Sequence, residues 1–103
     1  MNNLLKYSNL FKEEIFEEII RGSSFKVKKI VSPPMPDGDT KWYLQEEKEL
    51  VIILQGEAKI EFDNSNIISL KTGDYFLIDS SIKHRVAYTS DNPVTIWLTI
   101  YYK

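Results

Sequence analysis

Hydrophobic and polar residues alternate with a period of two along most of the chain after Gly22. The clearest case is residues 57–62, where three charged residues alternate with Ala58, Ile60 and Phe62. Such alternation indicates a β-strand with one buried face. Turn residues separate further segments of strand character, which are residues 25–31, 41–45, 49–54, 67–70, 75–78, 84–89 and 94–102. About eight short strands at spacings near ten residues predict an all-β sandwich or barrel.

The N-terminal part has a different pattern, in which apolar residues recur every three or four positions. These residues are Leu10, Phe11, Ile15, Phe16, Ile19 and Ile20. The glutamates between them are interpreted as a solvated helix face: Glu13, Glu14, Glu17 and Glu18. Because Ser8 or Asn9 can cap a helix and Arg21-Gly22 suits its end, we predict an amphipathic helix from about Leu10 to Arg21. The chain then divides into an N-terminal helical segment, residues 1–22, and a β-barrel domain, residues 23–103.

Two predicted strands, Leu50–Leu54 and Ile96–Tyr102, are apolar on both faces. In a lone barrel of this size one face of each strand should contact water. Something must therefore cover the outer face, and the N-terminal helix and a second copy of the chain are the alternatives. We expect a homodimer.

The composition argues against several classes of function. The chain has 103 residues, a formal net charge of −2, one His and no Cys. A nearly balanced charge argues against a nucleic-acid partner. Without Cys there are no disulfides and no thiol catalysis, and one His cannot build a three-His zinc site. No apolar stretch reaches the ~20 residues of a membrane span, and we expect no membrane partner and a cytoplasmic location.

Two spaced motifs give the sequence a family resemblance. Glu49 is followed after six residues by Gly56, and Gly73-Asp74 begins a segment that reaches His84 eleven residues after Gly73. In this order and spacing they resemble the two motifs of the cupin superfamily, over roughly residues 27–102. The resemblance implies a double-stranded β-helix, also called a jelly-roll barrel, with a central cavity.

The sequence departs from the metal-binding cupin pattern. That pattern has two His before the Glu and one His after it. The first two positions here are Tyr43 and Gln45 or, with a one-residue gap shift, Trp42 and Leu44. Of the usual four ligands only Glu49 and His84 remain. A neutral Gln adds no charge to hold a divalent ion. We therefore expect no tightly bound cofactor, with a divalent ion (Zn, Mn, Ni or Fe) on Glu49, His84 and Gln45 as the alternative.

The resemblance places several polar side chains at the cavity. We predict the ligand-binding residues to be Tyr43, Gln45, Glu49, His84 and Tyr88. Strand alternation puts Tyr88 on the face of His84. The alternatives are a core histidine satisfied by one hydrogen bond and plain filling of a small barrel. A buried Glu49–His84 pair suits acid–base work on a ligand, or serves only as a polar network.

Three functions follow from these interpretations. The leading hypothesis is a homodimeric barrel that binds a small molecule in its cavity without tightly held metal. The second is a divalent-metal-dependent enzyme of the isomerase, lyase or dioxygenase kind that uses Glu49 and His84. The third is a structural or assembly homodimer with a filled barrel.

Overall fold

The computed structural model describes residues 1–9 and 11–103, and in these residues eight β-strands form two facing sheets. The strands are β1 (Ile15–Arg21), β2 (Phe25–Ser32), β3 (Lys48–Gln55), β4 (Glu57–Phe62), β5 (Ile67–Lys71), β6 (Tyr75–Ile78), β7 (His84–Thr89) and β8 (Thr95–Tyr102). The larger sheet has the order β1-β2-β8-β3-β6 and the smaller sheet the order β5-β4-β7. All neighbouring strands are antiparallel. The prediction of an all-β architecture is confirmed.

The core lies between the two sheets because alternate residues of the strands point inward. On β3, Val51 and Ile53 are buried, and on β4 the same holds for Ala58 and Ile60. Trp97 of β8 is the largest side chain in this layer. Complete burial of one such apolar side chain contributes about 1.5–3 kcal/mol, so this alternation holds the two sheets together.

The predicted N-terminal helix is wrong. Residues 1–9 and 11–103 contain no helix, and hence none that is long and apolar enough to cross a membrane; Leu10 lies outside the described residues. The segment instead forms β1, which pairs with β2 beginning at Ile15 opposite Val31. Its register shifts between Glu18 and Ile20. This bulge inserts one extra residue, which gives a strand of β-branched and aromatic residues an apparently helical spacing.

The predicted strand at residues 41–45 is also wrong. The connection between β2 and β3 runs along β7, the edge strand of the smaller sheet, and pairs with it at two isolated bridges. These bridges join Met35 to Thr89 and Tyr43 to His84. The connection covers an edge that would otherwise expose unpaired backbone groups, and it brings the Tyr43 side chain to the space between the sheets.

The first residues of the chain cover part of the outward face of the larger sheet. The Lys29 ammonium donates to the backbone carbonyl of Lys6, and Lys29 is only 5% exposed. Tyr7 and Lys6 lie against Ile15 and Val31 of the neighbouring strands. Beside it, seven apolar residues form a contiguous patch across β6, β3, β8 and β2. We call it the outer apolar face, and its residues are Val27, Leu50, Ile52, Tyr75, Leu77, Leu98 and Ile100.

We expect Gly38→Ala to lower the free energy of unfolding by more than Gly73→Ala, as measured by urea denaturation. Both glycines have positive φ, +74° and +91°, so each alanine carries roughly 1–2 kcal/mol of backbone strain. A Cβ on Gly38 would also lie 2.4 Å from the Val86 carbonyl oxygen, whereas nothing lies within 4 Å of one on Gly73. Equal losses would contradict the close packing of the connection against β7.

Candidate functional site

A cavity of about 60 Å³ lies between the sheets, beside β1, β3, β7 and β8. Its wall is largely apolar, with Val51, Ile60, Ile78 and Trp97 among its residues. The polar side chains in the wall are Glu14, Tyr43, Glu49, His84, Thr99 and Tyr101. An apolar cavity with a few convergent polar groups is the usual form of a small-molecule site.

Glu49 and His84 form a buried pair in this cavity. Both residues are 6% exposed, and His84 Nε2 lies 3.4 Å from Glu49 Oε1. Glu49 points inward because it alternates in phase with the buried Val51 on β3. His84 begins β7 and pairs with Phe62 of β4, whose ring centroid is 6.5 Å from the imidazole. The sequence prediction placed these two side chains together, and the structure does the same.

The proton arrangement of the pair follows from the partner of the other ring nitrogen. His84 Nδ1 lies 2.9 Å from the Ile82 carbonyl oxygen. A carbonyl only accepts, so Nδ1 carries a hydrogen and donates it. Nε2 then faces the Glu49 carboxyl, and one further proton must lie between them. Burial lowers the pKa of His84, but its hydrogen bonds to Glu49 and to the Ile82 carbonyl outweigh burial, and the pKa is raised.

Further groups hold the Glu49 carboxyl in place. Gln45 Nε2 donates to Glu49 Oε1 over 3.0 Å. Tyr101 on β8 is the cross-strand neighbour of Glu49 and lies in the same cavity wall. Burial, together with the negative charge of Glu49, raises the pKa of Tyr101 far above its ordinary range, so this phenol stays protonated. Gln45, which was predicted to line the cavity, is not part of its wall and instead contacts Glu49, whereas Tyr101, which the sequence prediction missed, lines the cavity.

Tyr43 forms the wall above His84. The two rings are nearly parallel, with an interplanar angle of 25° and centroids 6.0 Å apart. Their backbones exchange hydrogen bonds of 2.7 and 3.0 Å, which fixes one ring over the other. Burial raises the pKa of the Tyr43 phenol, with the negative charge of Glu14 next in effect. Tyr43 thus lies in the cavity as predicted.

Tyr88 does not lie in the cavity, and the prediction that it shares a face with His84 is wrong. The register between β4 and β7 shifts, so that Lys59 pairs with Tyr88 and Ile60 with Val86. This bulge reverses the alternation after Val86. The Tyr88 ring lies on the outward side of the smaller sheet, where the Lys59 ammonium is 5.7 Å from its centroid.

Glu14 is a cavity residue that the sequence prediction placed on a solvated helix face. Because residues 15–21 are a strand and not a helix, Glu14 enters the space between the sheets just before β1. The Ser32 hydroxyl donates to Glu14 Oε2 over 2.6 Å, and Trp97 Nε1 donates to Ser32 Oγ over 2.9 Å. No motif marked Glu14; only the assignment of β1 as a strand would have found it.

The polar groups do not fit a divalent metal. Among residues 1–9 and 11–103, no group of three or more His, Cys, Asp or Glu side chains could hold one. His84 Nε2 and the Gln45 amide both face the same Glu49 oxygen, so this oxygen already has two protein partners. Gln45 and the Tyr43 phenol are poor replacements for two imidazoles.

The chain belongs to the cupin domain family, whose model matches residues 34–101. Curated proteins include no significant sequence match. The structure is similar to that of a candidate mannose-6-phosphate isomerase from Ralstonia eutropha JMP134, with 25% identity and a TM-score of 0.88 over 100% of this chain and 97% of that one. The predicted family is confirmed.

More distant structures share the fold. A cupin superfamily protein from Desulfitobacterium hafniense DCB-2 has 20% identity and a TM-score of 0.74, over 93% of this chain and 83% of that one. An RmlC-like cupin with a double-stranded β-helix fold from Methanocaldococcus jannaschii has 14% identity and a TM-score of 0.72, over 94% and 86%. The predicted double-stranded β-helix barrel is therefore confirmed.

We expect NMR titration of the single imidazole to give His84 a pKa above 6.5, its ordinary value. Glu49→Gln should lower it towards or below that value, because burial is then opposed by a weaker partner. Glu46→Gln, at an exposed position, should leave it unchanged.

The free energy of unfolding should depend on pH through the same Glu49–His84 pair. A raised pKa contributes stability that is present below the unfolded value and lost as the pH rises through the folded value. His84→Gln should therefore reduce the free energy of unfolding more at about pH 5.5 than at about pH 9. An imidazole pKa that Glu49→Gln does not change would contradict the pairing.

Proposed function

We propose that this cupin binds a small molecule in its barrel cavity without a tightly bound metal. The observation that carries the proposal is the cavity of about 60 Å³, whose wall holds the paired Glu49 and His84 side chains. The Tyr43 phenol lies at the same wall. A ligand that hydrogen-bonds with this phenol would bury its apolar part against Val51 and Trp97. A cytoplasmic location remains part of the proposal.

The two alternatives explain less of the geometry. A barrel that serves only as a structural support has no need for this cavity, which a larger side chain at Val86 would fill. A metal-dependent enzyme needs ligands that Tyr43 and Gln45 do not replace. Stoichiometric Fe, Mn, Ni or Zn in extensively dialysed protein would overturn the metal part of the proposal and favour the enzyme.

The proposal predicts that filling the cavity abolishes binding. Small polar molecules that bind should shift the His84 imidazole resonances of the unaltered protein, and these shifts should disappear in Val86→Phe because the larger ring occupies the cavity. Tyr88→Phe, on the outward side of the smaller sheet, is the control and should retain them. Shifts of the same size in Val86→Phe would mean that the molecules bind elsewhere.

We also propose that a second copy of the chain covers the outer apolar face. Leu77 and Tyr75 of this face are 49% and 73% exposed, and the N-terminal residues cover only the neighbouring surface around Lys29. A twofold dimer brings the same patch of the two subunits together, so the patch must be compatible with a second copy of itself. The outer apolar face contains no charged residue and meets that condition, whereas a charged partner would find nothing to pair with.

Sedimentation should therefore give about twice the chain mass of 12.1 kDa. Leu77→Lys should shift the protein to the monomer, because two copies of the new charge would meet in the interface. Ile67→Lys is a matched control, since Ile67 is similarly exposed, at 55%, but lies on the smaller sheet. A monomer at micromolar concentration in the unaltered protein would contradict the dimer.

A further inference from the structure

The hydrogen bonds around Glu14 leave one of its oxygens for a ligand. The indole Nε1–H of Trp97 can only donate, so Ser32 Oγ must accept it and direct its own hydrogen to Glu14. That bond uses Glu14 Oε2. The structure gives Oε1 no hydrogen-bond partner among the described residues, and Glu14 forms part of the cavity wall. One oxygen of this carboxyl group is thus without a hydrogen-bond partner among the described residues, on a residue that lines the cavity.

This carboxyl group has no cation of its own. No ion pair of Glu14 occurs among the residues that the structure describes, whereas Glu49 has His84. Among the residues that the structure describes, no Lys or Arg lines the cavity. Since the Glu49–His84 pair is neutral as a whole, an ionised Glu14 leaves the cavity with one uncompensated negative charge.

The remaining wall suits a cation. The rings of Phe16, Tyr43, Trp97 and Tyr101 all lie in it. Aromatic faces attract ammonium groups, by about 0.5–2 kcal/mol depending on how far the cation is desolvated. A carboxylate in a cavity wall that also holds aromatic rings therefore favours an ammonium group over a neutral or anionic one.

We propose that the ligand of this cavity is a small amine, whose ammonium group binds the free oxygen of Glu14 while a hydroxyl or similar polar group faces the Glu49–His84 pair. This inference rests on the proposed small-molecule binding and specifies its chemical class. Because each water needs about 10–15 Å³ of such space, the cavity of about 60 Å³ accommodates a ligand of roughly four to six non-hydrogen atoms.

The raised pKa of the Glu14 carboxyl also supports the proposal. Burial raises its pKa, the Ser32 hydrogen bond opposes this, and the negative charge of Asp39 adds to the increase. The ionised carboxylate is therefore disfavoured in the empty cavity. A bound ammonium would stabilise it, as an opposite charge does at short range.

The groups at the mouth of the cavity do not reverse this preference. An outer groove shares Glu14 and Tyr43 with the cavity. Apart from Glu14, its charged residues are two basic and two acidic ones, Lys12, Lys41, Glu13 and Asp39. The exposed charges of Lys12, Glu13 and Lys41 are screened by salt, whereas the half-buried Asp39 adds to the negative charge near Glu14.

Three probes of equal chain length separate the ligand classes: 3-amino-1-propanol, 1,3-propanediol and 3-hydroxypropionate. Binding is followed at neutral pH by NMR, through the His84 imidazole and the backbone amides around the cavity. We expect the amino alcohol to bind about tenfold more tightly than the diol, since a charged hydrogen bond is worth more than a neutral one. The hydroxy acid should bind most weakly.

Glu14→Gln should remove the preference for the amino alcohol, because the amide carries no charge. Glu13→Gln, at the neighbouring exposed position, should retain it. If Glu14→Gln does not fold, the relative affinities of the three probes for the unaltered protein still test the proposal.

Each other outcome overturns a defined part of the account. If the diol or the hydroxy acid binds at least as tightly as the amine, or if Glu14→Gln keeps the preference, the cavity binds a small molecule of another class and the amine inference is wrong. If none of the probes shifts a cavity resonance at tens of millimolar concentration, both the amine inference and the proposed binding function fail.

Discussion

Burying the Glu49 carboxylate between two apolar sheets costs several kcal/mol unless a proton donor faces it, and His84 is that donor. The imidazole is oriented in turn by the Ile82 carbonyl, which accepts from Nδ1. The pair therefore depends on the backbone at the start of β7 as much as on the two side chains. Removing His84 leaves the Glu49 carboxyl with the neutral Gln45 amide as its donor, and removing Glu49 leaves His84 Nε2 without its partner.

The same requirement explains the long connection between β2 and β3. It pairs with His84 through the backbone of Tyr43 and so fixes the tyrosine ring over the imidazole. Gly38 lets this connection approach the Val86 carbonyl closely, which a residue with a side chain could not do. The connection thus covers the edge of β7 and completes the cavity wall.

Much of the fold could be predicted because it depends on alternation and on motif spacing. Ala58, Ile60 and Phe62 identified β4, and the positions of Glu49, Gly56 and His84 identified the family. These signals are local or have fixed spacing. They also brought Glu49 and His84 together correctly.

Two of the errors, at β1 and at Tyr88, have one physical cause, which is the β-bulge. A bulge near Ile19 gave β1 an apparent helical spacing, and another after Val86 turned Tyr88 outward. A bulge is set by the pairing with a partner strand, so the sequence of one strand alone does not reveal it. The first error also hid Glu14, because a helix would have left its side chain in solvent. The role of Tyr101 depends on its contact with Glu49 across two strands, which no spacing rule supplies.

The most direct test of the account is the protonation state of the His84 ring. The nitrogen-15 NMR spectrum of the protein, labelled only in its single histidine, reports it at about pH 6.5. We predict that the ring is mostly an imidazolium, with hydrogens on both Nδ1 and Nε2 and slow exchange of both, because Ile82 and Glu49 accept them. A mostly neutral ring with a rapidly exchanging hydrogen would contradict the buried pair around which the cavity is organised.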